Sequence, residues 1–365
     1  MTPRRVAILL GAGVVVVAFA IWLSSKRHLD RATMAGDLVL PGLESALNTV
    51  TQIRLSKGDE TRTTLKKGAS DWTVGERDYP ADSGKVRKFL LDLGALNVVE
   101  EKTHTPANYP LLGVEDTTSP KATGTRVAVV TPSKVYELII GKSSNAKSGY
   151  VRVPTKEQAL LAAPSLSVDA DPKRWLDHTL IDIHQDRVKE IAEKPADGPA
   201  YTASREKKEQ TDFTVSNIPK GRELSSPVAA DPIAGALGGM TFDDVHKAAA
   251  PAADAKISHA IYRTFDGLEL DIAGRKDGTH DLITFTVRST AKETADEAQK
   301  LTTQLQGWDY ELPSYKYDGI FHSLDDLLKP VEPPKKADKA GGDKGKGGAA
   351  KKTADKSAGA GTGAP

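Results

Sequence analysis

The feature that most constrains this chain is an internal duplication. Residues 50–182 and 188–328 read as diverged copies of one unit. Val50-Thr51-Gln52-Ile53 matches Val188-Lys189-Glu190-Ile191, and Trp72-Thr73-Val74 matches Phe213-Thr214-Val215. Further on, Leu93 to Val98 matches Leu237 to Phe242. Glu137-Leu138 and Gly141 match Glu269-Leu270 and Gly274, and Trp175 matches Trp308. The order is kept and small insertions explain the drift in spacing. A chain of 365 residues already suggests roughly two domains, and the matches make those two domains one unit used twice.

Within each copy the hydrophobic period switches between two and about 3.6. Thr49 to Leu55 and Arg62 to Leu65 alternate as strands around a Gly58-Asp59 turn, and Trp72 to Val74 is a third short strand. Asp82-Ser83 caps a run in which Val86, Phe89, Leu90 and Leu93 recur at helical spacing, closed near Gly94. Asn97 to Glu101, Arg126 to Thr131, Val135 to Ile140 and Tyr150 to Val153 are extended, and Lys156 to Ala162 is predicted as a short helix. The second copy has a weaker helix around Asp231 to Leu237. It then has a strand over Trp308 to Leu312 and a closing helix at Ser323 to Leu328, with Ser323 as N-cap and Asp326 at N3. The class expected is α+β, two tandem antiparallel sheets each with a few helices on one face.

The ends differ from the body. Val6 to Leu23 is an 18-residue apolar or small run ending near Trp22, about 27 Å long as a helix and long enough for a thin bilayer. We read it as an uncleaved anchor behind a five-residue cytoplasmic N-terminus (1–5). Cleavage after Ala18-Phe19-Ala20 is the rival, disfavoured because the apolar run continues past that site. Residues 24–41 form a polar stalk, 42–183 the first repeat and 184–330 the second. Residues 331–365 form a Lys/Gly/Ala-rich tail expected to be disordered. The formal charge of +1 hides +4 in residues 1–35, −7 in 36–330 and +4 in the tail. An acidic body argues against nucleic-acid binding. The basic tail suits contact with an anionic surface or cell-wall polymer. The chain has no cysteine, which removes disulfides, thiolate metal sites and thiol nucleophiles. The localisation expected is the inner membrane, single-pass, with the body in the periplasm.

Motifs that carry chemistry are sparse. Gly141-Lys142-Ser143 resembles the end of a phosphate loop, but Tyr136 stands where that loop needs its first glycine. A hairpin turn is predicted there and at the matching Gly274-Arg275-Lys276. Asp177-His178 and Asp182-x-His184-x-Asp186 cluster metal-type ligands without a ligand spacing, and read as a connector. Glu100-Glu101 recurs as Asp243-Asp244, adjacent strand residues that face opposite sides. His28, His104, His246, His259, His280 and His322 are scattered. We therefore expect no catalytic, cofactor-binding or metal-binding residue and no enzyme activity. The aromatic set of Trp308, Tyr310, Tyr315 and Tyr317 is the candidate interaction surface, since aromatics concentrate at interfaces and glycan sites.

Several short stretches combine into a resemblance. Leu40-Pro41-Gly42-Leu43 precedes Val50-x-x-Ile53, and Trp72-x-Val74 follows. Tyr79-Pro80-Ala81-Asp82 leads into Val86-x-x-Phe89-Leu90, then come Glu101-Lys102-Thr103 and Tyr109-x-x-Leu112-Gly113-Val114. Together they resemble the bacterial family known as domain of unknown function 4340, over roughly residues 40–330. The resemblance implies an auxiliary envelope protein found beside ABC-transporter components of the gliding-motility type, and it carries over no functional residues. The function expected is a non-enzymatic accessory or docking component of such a membrane complex, with transporter subunits as partners. The alternative is a periplasmic glycan-binding module or an envelope enzyme.

Overall fold

The computed structural model describes residues 36–58 and 60–330. The apolar run at 6–23 and the basic tail from 331 lie outside the described residues. Among the described residues no helix is long and apolar enough to cross a membrane.

The first half opens with α1 (Leu43–Ala46), then β1 (Gln52–Lys57), β2 (Arg62–Lys67), β3 (Trp72–Val74), β4 (Tyr79–Pro80), α2 (Ser83–Gly94) and β5 (Asn97–Glu101). A short α3 (Tyr109–Leu112) leads to β6 (Thr125–Val130), β7 (Val135–Asn145), β8 (Ser148–Arg152) and β9 (Ala159–Ala163). Then β10 (Thr179–Ile181) crosses to the second half, which contains β11 (Val188–Lys194), β12 (Tyr201–Ser204), β13 (Thr214–Val215) and α4 (Asp231–Ala234). It continues with β14 (Met240–Thr241), β15 (Asp244–Lys247), β16 (Ile257–Thr264), β17 (Leu268–Asp277) and β18 (His280–Ser289). It closes with α5 (Ala295–Leu305), β19 (Trp308–Leu312), α6 (Ser314–Ile320) and α7 (Leu324–Leu327).

These strands make two large antiparallel sheets with few helices. The first runs β4-β3-β2-β1-β6-β7-β8-β9-β5 and the second β13-β12-β11-β16-β17-β18-β19-β15. From β3 and β13 onward the order is the same, including the late insertion of β5 and β15 beyond β9 and β19. The sequence matches of β1 with β11, β3 with β13 and β7 with β17 fall on equivalent strands. Ile53 and Ile191, the matched residues of β1 and β11, are both fully buried. Trp175 and Trp308 are not equivalent. Trp308 starts β19, whose counterpart is β9, whereas Trp175 follows β9 and packs edge-on against Phe89 of α2.

Local signals explain most boundaries. The Asp82 side chain accepts from the Lys85 N–H at 2.9 Å, capping α2, whose Val86, Phe89, Leu90 and Leu93 are buried. Replacing Asp82 with Ala should lower stability by about 1 kcal/mol, read by urea denaturation, because the first-turn N–H loses its acceptor. Ser323 and Asp326 form a reciprocal capping box on α7.

Three expectations change. Lys156 to Ala162 is not a helix: Ala159–Ala163 form β9 between β8 and β5, and this hydrophobic run is selected by the strands on either side rather than by its own period. Gly141 and Gly274 are not in turns but inside β7 and β17, whose hairpins turn later at Asn145–Ser148 and Asp277–His280. A Cβ on Gly141 would strike Leu112 O and come within 2.7 Å of Val114 Cγ1, and one on Gly274 would strike the Phe321 ring. Both glycines admit a covering segment onto the strand. Residues 36–41, read as stalk, belong to the body: Gly36 N–H and Val39 N–H donate to Val98 O and Leu96 O, and Val39 and Leu40 are buried.

One apolar cluster runs through both halves, from Leu43, Ile53 and Trp175 to Ile191, Tyr262 and Ile320. A smaller cluster of Tyr109, Val114, Ile139 and Ala159 sits apart from it under α3.

Candidate functional site: the seam between the two sheets

The two halves meet where the β4 end of the first sheet abuts β15 and β19 of the second. Arg77, in the turn before β4, reaches Asp244 at the start of β15 with both ends of its guanidinium. Nε donates to Oδ1 at 2.7 Å and Nη2 to Oδ2 at 2.9 Å. The Asp244 side chain is 2% exposed. Its Oδ1 also accepts from the Val245 N–H, and Lys173 Nζ stands 3.4 Å from Oδ2. Burial acts to raise the Asp244 pKa, but the Arg77 hydrogen bonds, the Val245 N–H and the charges of Arg77 and His246 outweigh it, so the carboxyl stays below the usual aspartate range. The hydrogen bonds to Asp244 raise Arg77 in turn.

Around this pair lies an aromatic box. Tyr79 meets Phe242, Trp308 and Tyr310 edge to face at ring separations of 5.5, 5.0 and 6.1 Å. Lys247 lies 3.7 Å above the Trp308 ring and 3.3 Å from Asp78. The connector completes the joint. β10 pairs with β14, His178 Nδ1 contacts Phe242 O at 2.7 Å, and the Gly239 N–H donates to Asp182. The Asp177–Asp186 segment thus fastens the halves together, with each of these groups held by a backbone partner.

One face of the seam edge gathers ionisable groups that lie far apart in sequence. β15 pairs antiparallel with β19, Asp244 opposite Glu311 and His246 opposite Asp309. β18 pairs with β19 so that Leu282 stands opposite Glu311. Strand alternation therefore puts Asp244, His246, Glu311 and His280 on one face. Asp244, His246 and Glu311 each offer a ligand atom within 4.8 Å of the others. His246 Nε2 is 3.3 Å from Asp244 Oδ2, and His280 Nδ1 is 2.9 Å from Glu311 Oε1. Asp309, next on this face, is taken up by Arg275 in a bidentate pair at 3.0 and 2.6 Å.

The predicted aromatic set does not form one surface. Tyr310 is fully buried and donates to Gln304 O, with its pKa raised by burial. Trp308 is half-buried in the box. Tyr317 is buried against Phe321, and burial lifts its pKa to about 12. Tyr315, on α6, is 73% exposed. Tyr317 and Phe321 back a groove of about 710 Å³ on the second half, rimmed by Asp197, Lys256, Lys276 and Asp318.

A doubled antiparallel sheet, welded edge to edge by a buried ion pair, defines the class of protein. Residues 72–258, just over half of the chain, match the family described as Domain of unknown function (DUF4340), and the chain belongs to that family. No curated protein and no solved structure matches it.

Proposed function

We propose that the protein is a membrane-anchored envelope protein, a non-enzymatic docking component of an ABC-transporter-type membrane complex, with its body in the periplasm. The observation that carries this reading is the seam: two sheets of one strand order are joined through Arg77 and Asp244 into one body with interlocked halves. We read the shared order as one unit duplicated. Such a body suits bridging between partners, and the apolar run at Val6–Leu23 supplies an anchor ahead of it. Exposed Tyr315 on α6 is the aromatic side chain of the interaction set that is open to a partner.

The test is affinity purification of the full chain from detergent-solubilised membranes. Co-purification of ATPase and permease subunits, reduced at least tenfold by Tyr315→Ala with folding unchanged by circular dichroism, is the expected result. Recovery of a lone monomer that binds cell-wall glycan would sink the docking reading in favour of a glycan-binding module.

A further inference from the structure

We propose that Asp244, His246 and Glu311 form a binding site for a divalent metal ion of the zinc class, with His280 orienting Glu311. The donor set is a mixture of imidazole and carboxylate, drawn from two paired strands on one sheet face. With metal bonds of about 2 Å, tetrahedral ligand atoms stand roughly 3.3 Å apart. His246 Nε2 and Asp244 Oδ2 already hold a separation of 3.3 Å. Glu311 closes the set within 4.8 Å, and the exposed side chain of His246 gives the freedom to contract it.

The surroundings decide which metal fits. Arg77 and Lys173 flank Asp244, so the two carboxylate charges are offset before an ion arrives. Hard cations such as magnesium and calcium rely on carboxylate charge and on many oxygen ligands, and this site supplies little of either. A borderline ion gains from the imidazole nitrogen whatever the net charge. Arg77 occupies Oδ1 through Nε and shares Oδ2 through Nη2, which fixes the carboxylate plane. His280 does the same for Glu311, the outer-shell role that a carboxylate ligand commonly needs. The site sits on the seam, so a bound ion would tighten β15 against β19 where the first half docks.

The experiment is calorimetric titration of the full-length, tag-free protein with zinc chloride, with magnesium chloride as control and cobalt(II) absorption as a ligand-field readout. One equivalent of zinc should bind, magnesium should not, and cobalt should give visible bands. His246→Ala and Glu311→Gln should each weaken zinc at least tenfold, while His104→Ala, at an exposed histidine elsewhere, leaves it unchanged. Circular dichroism establishes that the variants fold. Zinc affinity equal in wild type and both site variants, or no zinc binding by wild type, overturns the proposal.

Discussion

Replacing Arg77 with Ala should destabilise the protein by about 3 kcal/mol, the scale for removing one partner of a buried ion pair. The reason is the state of Asp244 once its partner is gone. At 2% exposure the carboxylate cannot regain water, and the two strongest donors it has are both on Arg77. Lys173, at 3.4 Å, and the Val245 N–H remain, which holds the loss nearer the lower end of the range. The double variant Arg77→Met, Asp244→Leu should recover most of it, because two apolar groups of similar bulk leave no uncompensated charge. The pH dependence has a fixed sign. The folded pKa of Asp244 lies below its ordinary value, so its contribution is present above about pH 4 and is lost as pH falls through the folded value. Urea denaturation at neutral pH and near pH 3 measures both effects. A single-variant loss under about 0.5 kcal/mol would mean that Lys173 and His246 neutralise Asp244 unaided.

The pairing of Arg77 with Asp244 is not visible in the sequence, and the reason is physical. Arg77 lies in a turn and Asp244 in an acidic doublet, both ordinary surface residue types. Only the packing of one half on the other brings them together. His246, Glu311 and His280 are also far apart in sequence, and strand register within the second sheet unites them across three strands. What could be read was local or periodic. The capped helix at Ser83–Gly94, the alternation of β1 and β2 and the capping box at Ser323 each rest on neighbours within a few residues. The correspondence between the halves could be read because equivalent strands carry equivalent burial, as at Ile53 and Ile191. The match of Trp175 to Trp308 failed because α5, inserted before β19, shifts the second copy out of step. Residue type alone picks out the interaction set, and type does not distinguish Tyr310, at the centre of the core, from Tyr315 on the surface.

Glu193 shows how far a single core position can depart from the pattern around it. It sits on the inward face of β11, in step with Ile191, paired across to Tyr201 on one side and Ala260 on the other. It is 1% exposed and neither carboxyl oxygen has a hydrogen-bond partner. The neighbouring hydroxyls do not help it: Tyr201 donates to His322 O and Tyr262 to Ile233 O. Burial pushes its pKa up to about 9, so the side chain is a neutral acid in the folded protein at pH 7. In the unfolded chain it ionises near 4.5. Between those values the folded state binds the extra proton, so the contribution of Glu193 to stability is greatest below about 4.5 and falls as pH rises toward about 9. The slope is about 1.4 kcal/mol for each pH unit, which amounts to about 3 kcal/mol lost by pH 7. Glu193→Met, an apolar side chain of similar length, should therefore stabilise the protein by about 3 kcal/mol at pH 7 and by more at pH 8.5. Urea denaturation of both proteins at pH 5, 7 and 8.5 isolates the residue, since all other titrating groups cancel in the difference. A difference that stays constant with pH would mean that Glu193 is ionised in the folded core and compensated there, against the geometry of its two bare oxygens.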